Sequence, residues 1–285
     1  MLKKPALNPS AQSEGMASRT GDTFTFQLIG QRGVGKTVFL ATMSSQYDDL
    51  TEYGLCSADV QTENQVQQIL TFMRNKGSYP PATNRSIPFT FDLYPKGSSS
   101  SRKPLCTFRW EDIPGEICQL WDEGFNHSTA NSSGCLIFVD ANALMTNPGY
   151  IENLDQLTDL VLPLVNIVAL NGITYPVAIV LTKCDMLGTL TPQLSGILQE
   201  RLEPIIRGLK RFNIAHKVFH SSLSLTRPGS SGSYTLTVGN TESPLLWLIE
   251  EIQRVRKVPV LVKIAKLLGL RQKRKNKGPR IFNAY

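Results

Sequence analysis

Gly30-Gln31-Arg32-Gly33-Val34-Gly35-Lys36-Thr37 is the stretch from which the rest of the chain is read. It matches G-x-x-x-x-G-K-[ST] at every fixed position. An alternating run, Phe24-Thr25-Phe26-Gln27-Leu28-Ile29, precedes it, and an apolar helical one, Val38-Phe39-Leu40, follows. Strand, glycine turn and helix are the context this motif requires, and a chance match would lack it. Glycines let the backbone fold inward, so that successive N–H groups and a helix N-terminus face one anion. In that arrangement Gly30, Gly33, Val34, Gly35 and Val38 line a phosphate cradle. Lys36 reaches the β- and γ-phosphates, and Thr37 offers its hydroxyl to Mg2+.

Working outward, helical pattern runs from Lys36 to about Tyr47. Val66, Ile69, Leu70 and Met73 share one helical face within 62–76. Phe89, Phe91 and Leu93 alternate within 87–94, and a second short strand covers 105–110; the polar stretch between them suits an antiparallel hairpin. Gly134–Asp140 and Pro176–Thr182 are compact apolar runs of buried parallel-strand type. Helical pattern lies at about 150–170, at 191–212 and at 243–257, with a last strand ending at His220. Strands alternating with helices predict an α/β fold with a mainly parallel sheet.

Three further motifs fall at strand ends. Trp110-Glu111-Asp112-Ile113-Pro114-Gly115-Glu116 places a carboxylate where it can hold a metal's water shell, and Gly115 where its N–H can meet a γ-phosphate. Alone, D-x-P-G is an ordinary Pro-Gly turn; 75 residues after Thr37, at a strand end, it gains meaning. Thr182-Lys183-Cys184-Asp185 offers Asp185 as a double acceptor for the N1–H and N2–H2 of guanine, an arrangement adenine cannot reciprocate. Lys183 can lay its stem along the base plane. Ser221-Ser222-Leu223 reads as a loop whose backbone N–H can meet the guanine O6, although a plain loop explains it as well.

These four elements, in this order, resemble the Ras-like GTPase family over about residues 23–257. The resemblance implies a three-layer P-loop fold with a mostly parallel six-stranded sheet, one strand antiparallel. It also implies Mg2+ and GTP or GDP bound along the strand ends. Lys36 and Thr37 fall on its P-loop positions, Asp112 and Gly115 on its switch II positions, Lys183 and Asp185 on its base-reading ones, and Ser222 and Leu223 on the last. Thr182 stands where most members have asparagine. The long link from Thr37 to Asp112 carries an extra helix at about 61–76, so the switch I threonine lies inside it. Thr83 is the candidate, as a metal ligand and catalytic residue, with Thr90 a poorer second. Glu116 sits where many members carry the glutamine that orients water, which implies slow intrinsic hydrolysis and an activating partner or effector. Arg32, at a variable position, reads as solvated. The D-I-P-G-E wording and Pro80-Pro81-Ala82-Thr83 also resemble, faintly, bacterial double-GTPase, conflict-associated proteins. A GTP-binding module that does not hydrolyse, and a P-loop ATPase, are the alternatives.

Charge belongs to one end. The formal net charge is +7, yet Arg254 to Arg280 holds eleven Lys/Arg and no Asp/Glu; without them 19 basic residues face 23 acidic ones. A nucleic-acid-coating body is therefore excluded. Residues 258–285 form a basic amphipathic extension with three open readings: an anionic membrane surface, a protein or nucleic-acid partner, or packing on the domain. Residues 1–22 read as a flexible arm without a secretory h-region, and no apolar run reaches 18 residues. Cys56, Cys106, Cys118, Cys135 and Cys184 are scattered and fit reduced thiols of a cytoplasmic protein. A peripheral position at the membrane stays open through the tail. The three histidines form no pattern with carboxylates.

Overall fold

Along β1 (Asp22–Ile29) the side chains alternate between two apolar layers, and this strand is the centre of the molecule. On one side it pairs in parallel with β4 (Cys106–Asp112), on the other with β5 (Gly134–Asp140). Beyond β5 lie β6 (Val177–Thr182) and β7 (His216–His220), both parallel. Beyond β4 lies β3 (Phe89–Pro95), antiparallel, and then β2 (Tyr53–Ser57), antiparallel to β3. The sheet order is therefore β2-β3-β4-β1-β5-β6-β7. The computed structural model describes residues 22–50, 53–81, 88–95, 104–112, 123–150, 161, 164–168, 175–189, 191–227 and 232–256. The arm before residue 22, Thr83, Gly115, Glu116 and the 258–285 extension lie outside them.

All residues of β5 and of β6 are buried, because helices cover both faces of the sheet. α1 (Lys36–Leu50), α2 (Val60–Lys76) and a C-terminal helix, Ser243–Arg256, pack on one face. There Phe24, Phe26 and Leu28 meet Phe39, Met73, Leu248 and Ile252. α3 (Glu123–Asn131), α4 (Ala141–Thr146), the helical residues 164–168, α5 (Pro192–Arg201) and α6 (Glu203–Arg211) pack on the other. We number the C-terminal helix α7. Phe26 stacks on Trp110 with ring centroids 4.7 Å apart, which adds about 1 kcal/mol beyond area burial. Gln27, fully buried on the opposite face of β1, has its amide satisfied. Nε2 donates to the Ser128 and Thr129 hydroxyls at 3.1 Å each, and Oε1 accepts from the Tyr175 hydroxyl at 2.8 Å. This ties α3 to the central strand.

The sheet has seven strands where the family resemblance implies six. β2 is the addition, an edge strand of sequence Tyr-Gly-Leu-Cys-Ser in which Leu55 is buried and Cys56 is exposed, too short and mixed to show an alternation. The chain after β7 is also not the loop expected. β8 (Ser222–Thr226) and β9 (Thr235–Gly239) form a separate antiparallel hairpin. Leu223, Leu225 and Leu236 of this hairpin pack against the layer under α1 and α7. The helical pattern of 191–212 divides at Leu202, where Pro204 in the first turn of α6 has no N–H to continue the ladder. α2 runs from its cap Asp59, whose side chain accepts from Thr62 N at 2.7 Å, to Gly77 in the left-handed conformation.

Candidate functional site

The five parallel strands β4, β1, β5, β6 and β7 end on one edge of the sheet, the edge at which folds of this topology bind ligands. The glycine-rich loop emerges there. Gly30 has φ +154, and a Cβ on it would lie 2.8 Å from the Phe138 carbonyl oxygen of β5, so only glycine lets the loop pass this close. Gly33 and Gly35 also have positive φ, +77 and +104, and a Cβ on Gly33 would meet nothing within 4 Å. The requirement at Gly33 is thus conformational, since no atom crowds that position. Lys36 is 9% exposed and its ammonium donates to Gly30 O at 2.6 Å, arching over the loop it belongs to. Val34 is buried and Val38 packs at the edge of the core, which seats the loop against α1. Thr37 stands in the first turn of α1.

At the end of β6, Thr182 reaches back to this loop. Its hydroxyl donates to Val34 O at 2.7 Å, with Val139 O at 3.2 Å as a second acceptor. Lys183 follows with φ 57 and ψ 30, a left-handed conformation uncommon for a residue with a Cβ. Its ammonium is paired with Asp140 Oδ2 at the end of β5. Asp140 Oδ1 accepts from Ala143 N at 2.9 Å and so caps α4, while the Asp140 N–H donates to the Tyr150 hydroxyl at 2.9 Å. Burial pushes the Tyr150 phenol up to about 12, the charge of Asp140 adding to the rise and its backbone bond opposing it.

Asp185, in the short 3-10 turn after Lys183, accepts from Leu223 N of β8 at 3.0 Å. Leu223 O in turn accepts from the Tyr79 hydroxyl at 2.5 Å. Tyr79, 47% exposed, lies just past the end of α2; burial and the charge of Asp185 both raise its phenol above the ordinary 10.0. Ser222 opens β8 and does not sit in a loop, and the Leu223 N–H, one of the backbone donors that Ser221-Ser222-Leu223 offers, is given to Asp185. Asp112 is the last residue of β4, in register with Leu28 two residues before Gly30. Thr90, the second residue of β3, gives its N–H to the Thr62 hydroxyl at 3.0 Å and pairs with Arg109 across the ladder, three residues before Asp112 closes β4.

The structure thus gathers Lys36, Thr37, Asp112, Thr182, Lys183, Asp185 and the start of β8 at one edge. Two residues there are not singled out by the sequence motifs. Asp140 has a signal, a lone carboxylate closing the wholly buried run Gly134–Asp140. Tyr79 has none, because its partner stands 144 residues away.

No family model and no curated protein matches the chain. Among solved structures it is similar to an ADP-ribosylation-factor-like GTP-binding protein, the small COPII coat GTPase of Encephalitozoon cuniculi in complex with GDP. That pair has 14% identity and a TM-score of 0.42, with 84% of each chain covered. It is also similar to a GTPase-like domain of S. cerevisiae bound to GTP, at 14% identity and TM-score 0.44, covering 75% of this chain and 45% of that one. The signal recognition particle receptor SRb with GDP, from Chaetomium thermophilum, gives 15% identity and TM-score 0.39 over 74% of this chain and 94% of its own. At these values the likeness is one of outline and says nothing about individual site residues.

Proposed function

We propose that this chain is a guanine-nucleotide-binding protein that hydrolyses GTP slowly and acts as a switch. The observation that carries the reading is the bond from Thr182 of the base-reading motif to Val34 of the phosphate loop, which makes one frame of the two half-sites. Lys36 and the loop N–H groups hold the phosphates. Asp185 accepts from the guanine edge, and Lys183 covers the base. Mg2+ fits the donors present. Thr37 offers a hydroxyl and Asp112 one carboxylate, the rest coming from phosphate and water, a sparse oxygen set suited to a hard cation. Held by Thr37 and Asp112, such an ion would neutralise charge on the phosphate oxygens. Thr83 and Gly115 complete the γ-phosphate end in this reading, and Glu116 faces the attacking water.

Competition of GTP against ATP for the purified chain tests the proposal. GTP should displace a fluorescent GDP analogue and ATP should not, and Lys36→Ala should abolish Mg2+-dependent triphosphate binding while the fold persists. Equal displacement by ATP, or unchanged binding by Lys36→Ala, refutes it. Glu116 favours a second reading, a nucleotide-binding module without turnover, because a carboxylate beside a γ-phosphate is repelled. The rate of phosphate release from GTP separates the two.

A further inference from the structure

We propose that Asp140 is a positioning residue for nucleotide binding, holding Lys183 where its stem covers the base; this rests on the assignment of the β6 end as the base site. Asp140 closes β5 directly opposite Thr182 in the ladder. Its side chain is 12% exposed, a place where a carboxylate is costly unless its oxygens are engaged. Both are: Oδ1 by the Ala143 N–H at 2.9 Å, and Oδ2 by the Lys183 ammonium. The backbone N–H of Asp140, bonded to the Tyr150 hydroxyl, fixes the same residue from behind. Asp140 is therefore anchored by α4 and by Tyr150, and Lys183 is anchored by Asp140.

Lys183 needs such an anchor. It holds a left-handed backbone without glycine, a conformation that persists when the surroundings over-determine it. Its side chain is 36% exposed and has four rotatable bonds, so unpaired it would sweep through solvent. A ligand meeting a mobile lysine must pay for ordering it, and one meeting a lysine already held by Asp140 does not. The carboxylate acts on the nucleotide through Lys183 and touches no part of the base.

The helix-cap role and the lysine-holding role of Asp140 are separable. Asn and Ser both cap helices well, and neither carries charge. In Asp140→Asn and Asp140→Ser the thermal midpoint should stay near that of the wild type. The Kd for GDP should rise about tenfold, the scale expected when a charge-assisted hydrogen bond is removed from a partly buried site. Preference for GDP over ADP should persist, since Asp185 reads the base edge. In a Lys183→Ala background the same substitutions should add no further weakening. Wild-type affinity in both variants overturns the proposal, and so does an equal weakening with and without Lys183, which would mark Asp140 as a cap alone. If the wild type fails to bind GDP, the base-site assignment itself falls and this inference with it; a wild type that binds while the variants behave as a simple cap refutes the role of Asp140 only.

Discussion

Asp185 accepts the Leu223 N–H with one oxygen, and that single bond sets what a substitution there does. Asn keeps an acceptor for Leu223, so the corner between the 3-10 turn and β8 should survive. It places an N–H donor where guanine presents its own donors. A site built around hydrogen bonds discriminates steeply when one is reversed, so Asp185→Asn should lower GTP affinity by at least about a hundredfold. Xanthine, which carries a carbonyl at the position of the guanine amino group, should be bound better than guanine. Titration with GDP and with xanthosine diphosphate checks this; unchanged selectivity would remove Asp185 from the base site. The partners around Asp185 also mark the reach of sequence. The glycine-rich loop is legible because its residues are consecutive and their chemistry is local. The Asp140–Lys183 pair joins residues 43 apart and Tyr79–Leu223 joins residues 144 apart, and nothing in either neighbourhood names the other.

At the scale of elements, strand legibility follows how many side chains each strand buries. β5 and β6 bury everything and read as apolar runs. β2 lies at the sheet edge, where Leu55 is buried and Cys56 exposed within five residues, so no period marks it. The β8–β9 hairpin does carry a signal, Ser-Leu-Ser-Leu-Thr against Thr-Leu-Thr-Val, but Ser221-Ser222-Leu223 reads equally well as a loop and hides it. β7 carries a different consequence. Burial lowers His216 and His220 below the ordinary 6.5; for His216 a backbone bond to Ile214 opposes this and the charge of Lys210 adds to it. A histidine depressed in the fold favours the neutral form. Its stability contribution is complete above pH 6.5, and it is lost as pH falls below 6.5, where the unfolded chain takes up protons first; the decline levels off below the folded pKa. Thermal midpoints should therefore decline as pH falls below about 6.5. The double variant His216→Gln with His220→Gln should flatten that decline, and an unaltered profile would show that other groups cause it.

For the whole molecule, the open question is turnover. Under the proposed function, an ionised Glu116 cannot donate to the γ-phosphate, and Lys36 is occupied at the phosphate loop. A second protein, or a second copy, must then bring the missing positive charge, a contribution worth about 1,000-fold or more in related chemistry. Single-turnover hydrolysis should be slow in dilute solution and should rise with an added partner or with concentration. Glu116→Gln should raise the unaided rate. Fast hydrolysis independent of concentration would show that the site is complete in one chain.

The Thr182–Val34 bond also bears on time. Because the hydroxyl joins the loop that would grip phosphate to the strand end that would grip the base, loosening of one grip would be coupled to loosening of the other. A bound nucleotide would leave only when both yield together, so its residence would be long and exchange would become the slow step of the cycle. Thr182→Ala cuts that joint and leaves each half-site its own donors. The dissociation rate of GDP should rise about tenfold with little change in association, as is usual for substitutions inside a preformed site. A chase experiment with excess unlabelled GDP reads this directly, and an unchanged rate would mean that the two loops keep time independently. With the joint intact, the chain would be a clock that waits to be reset from outside.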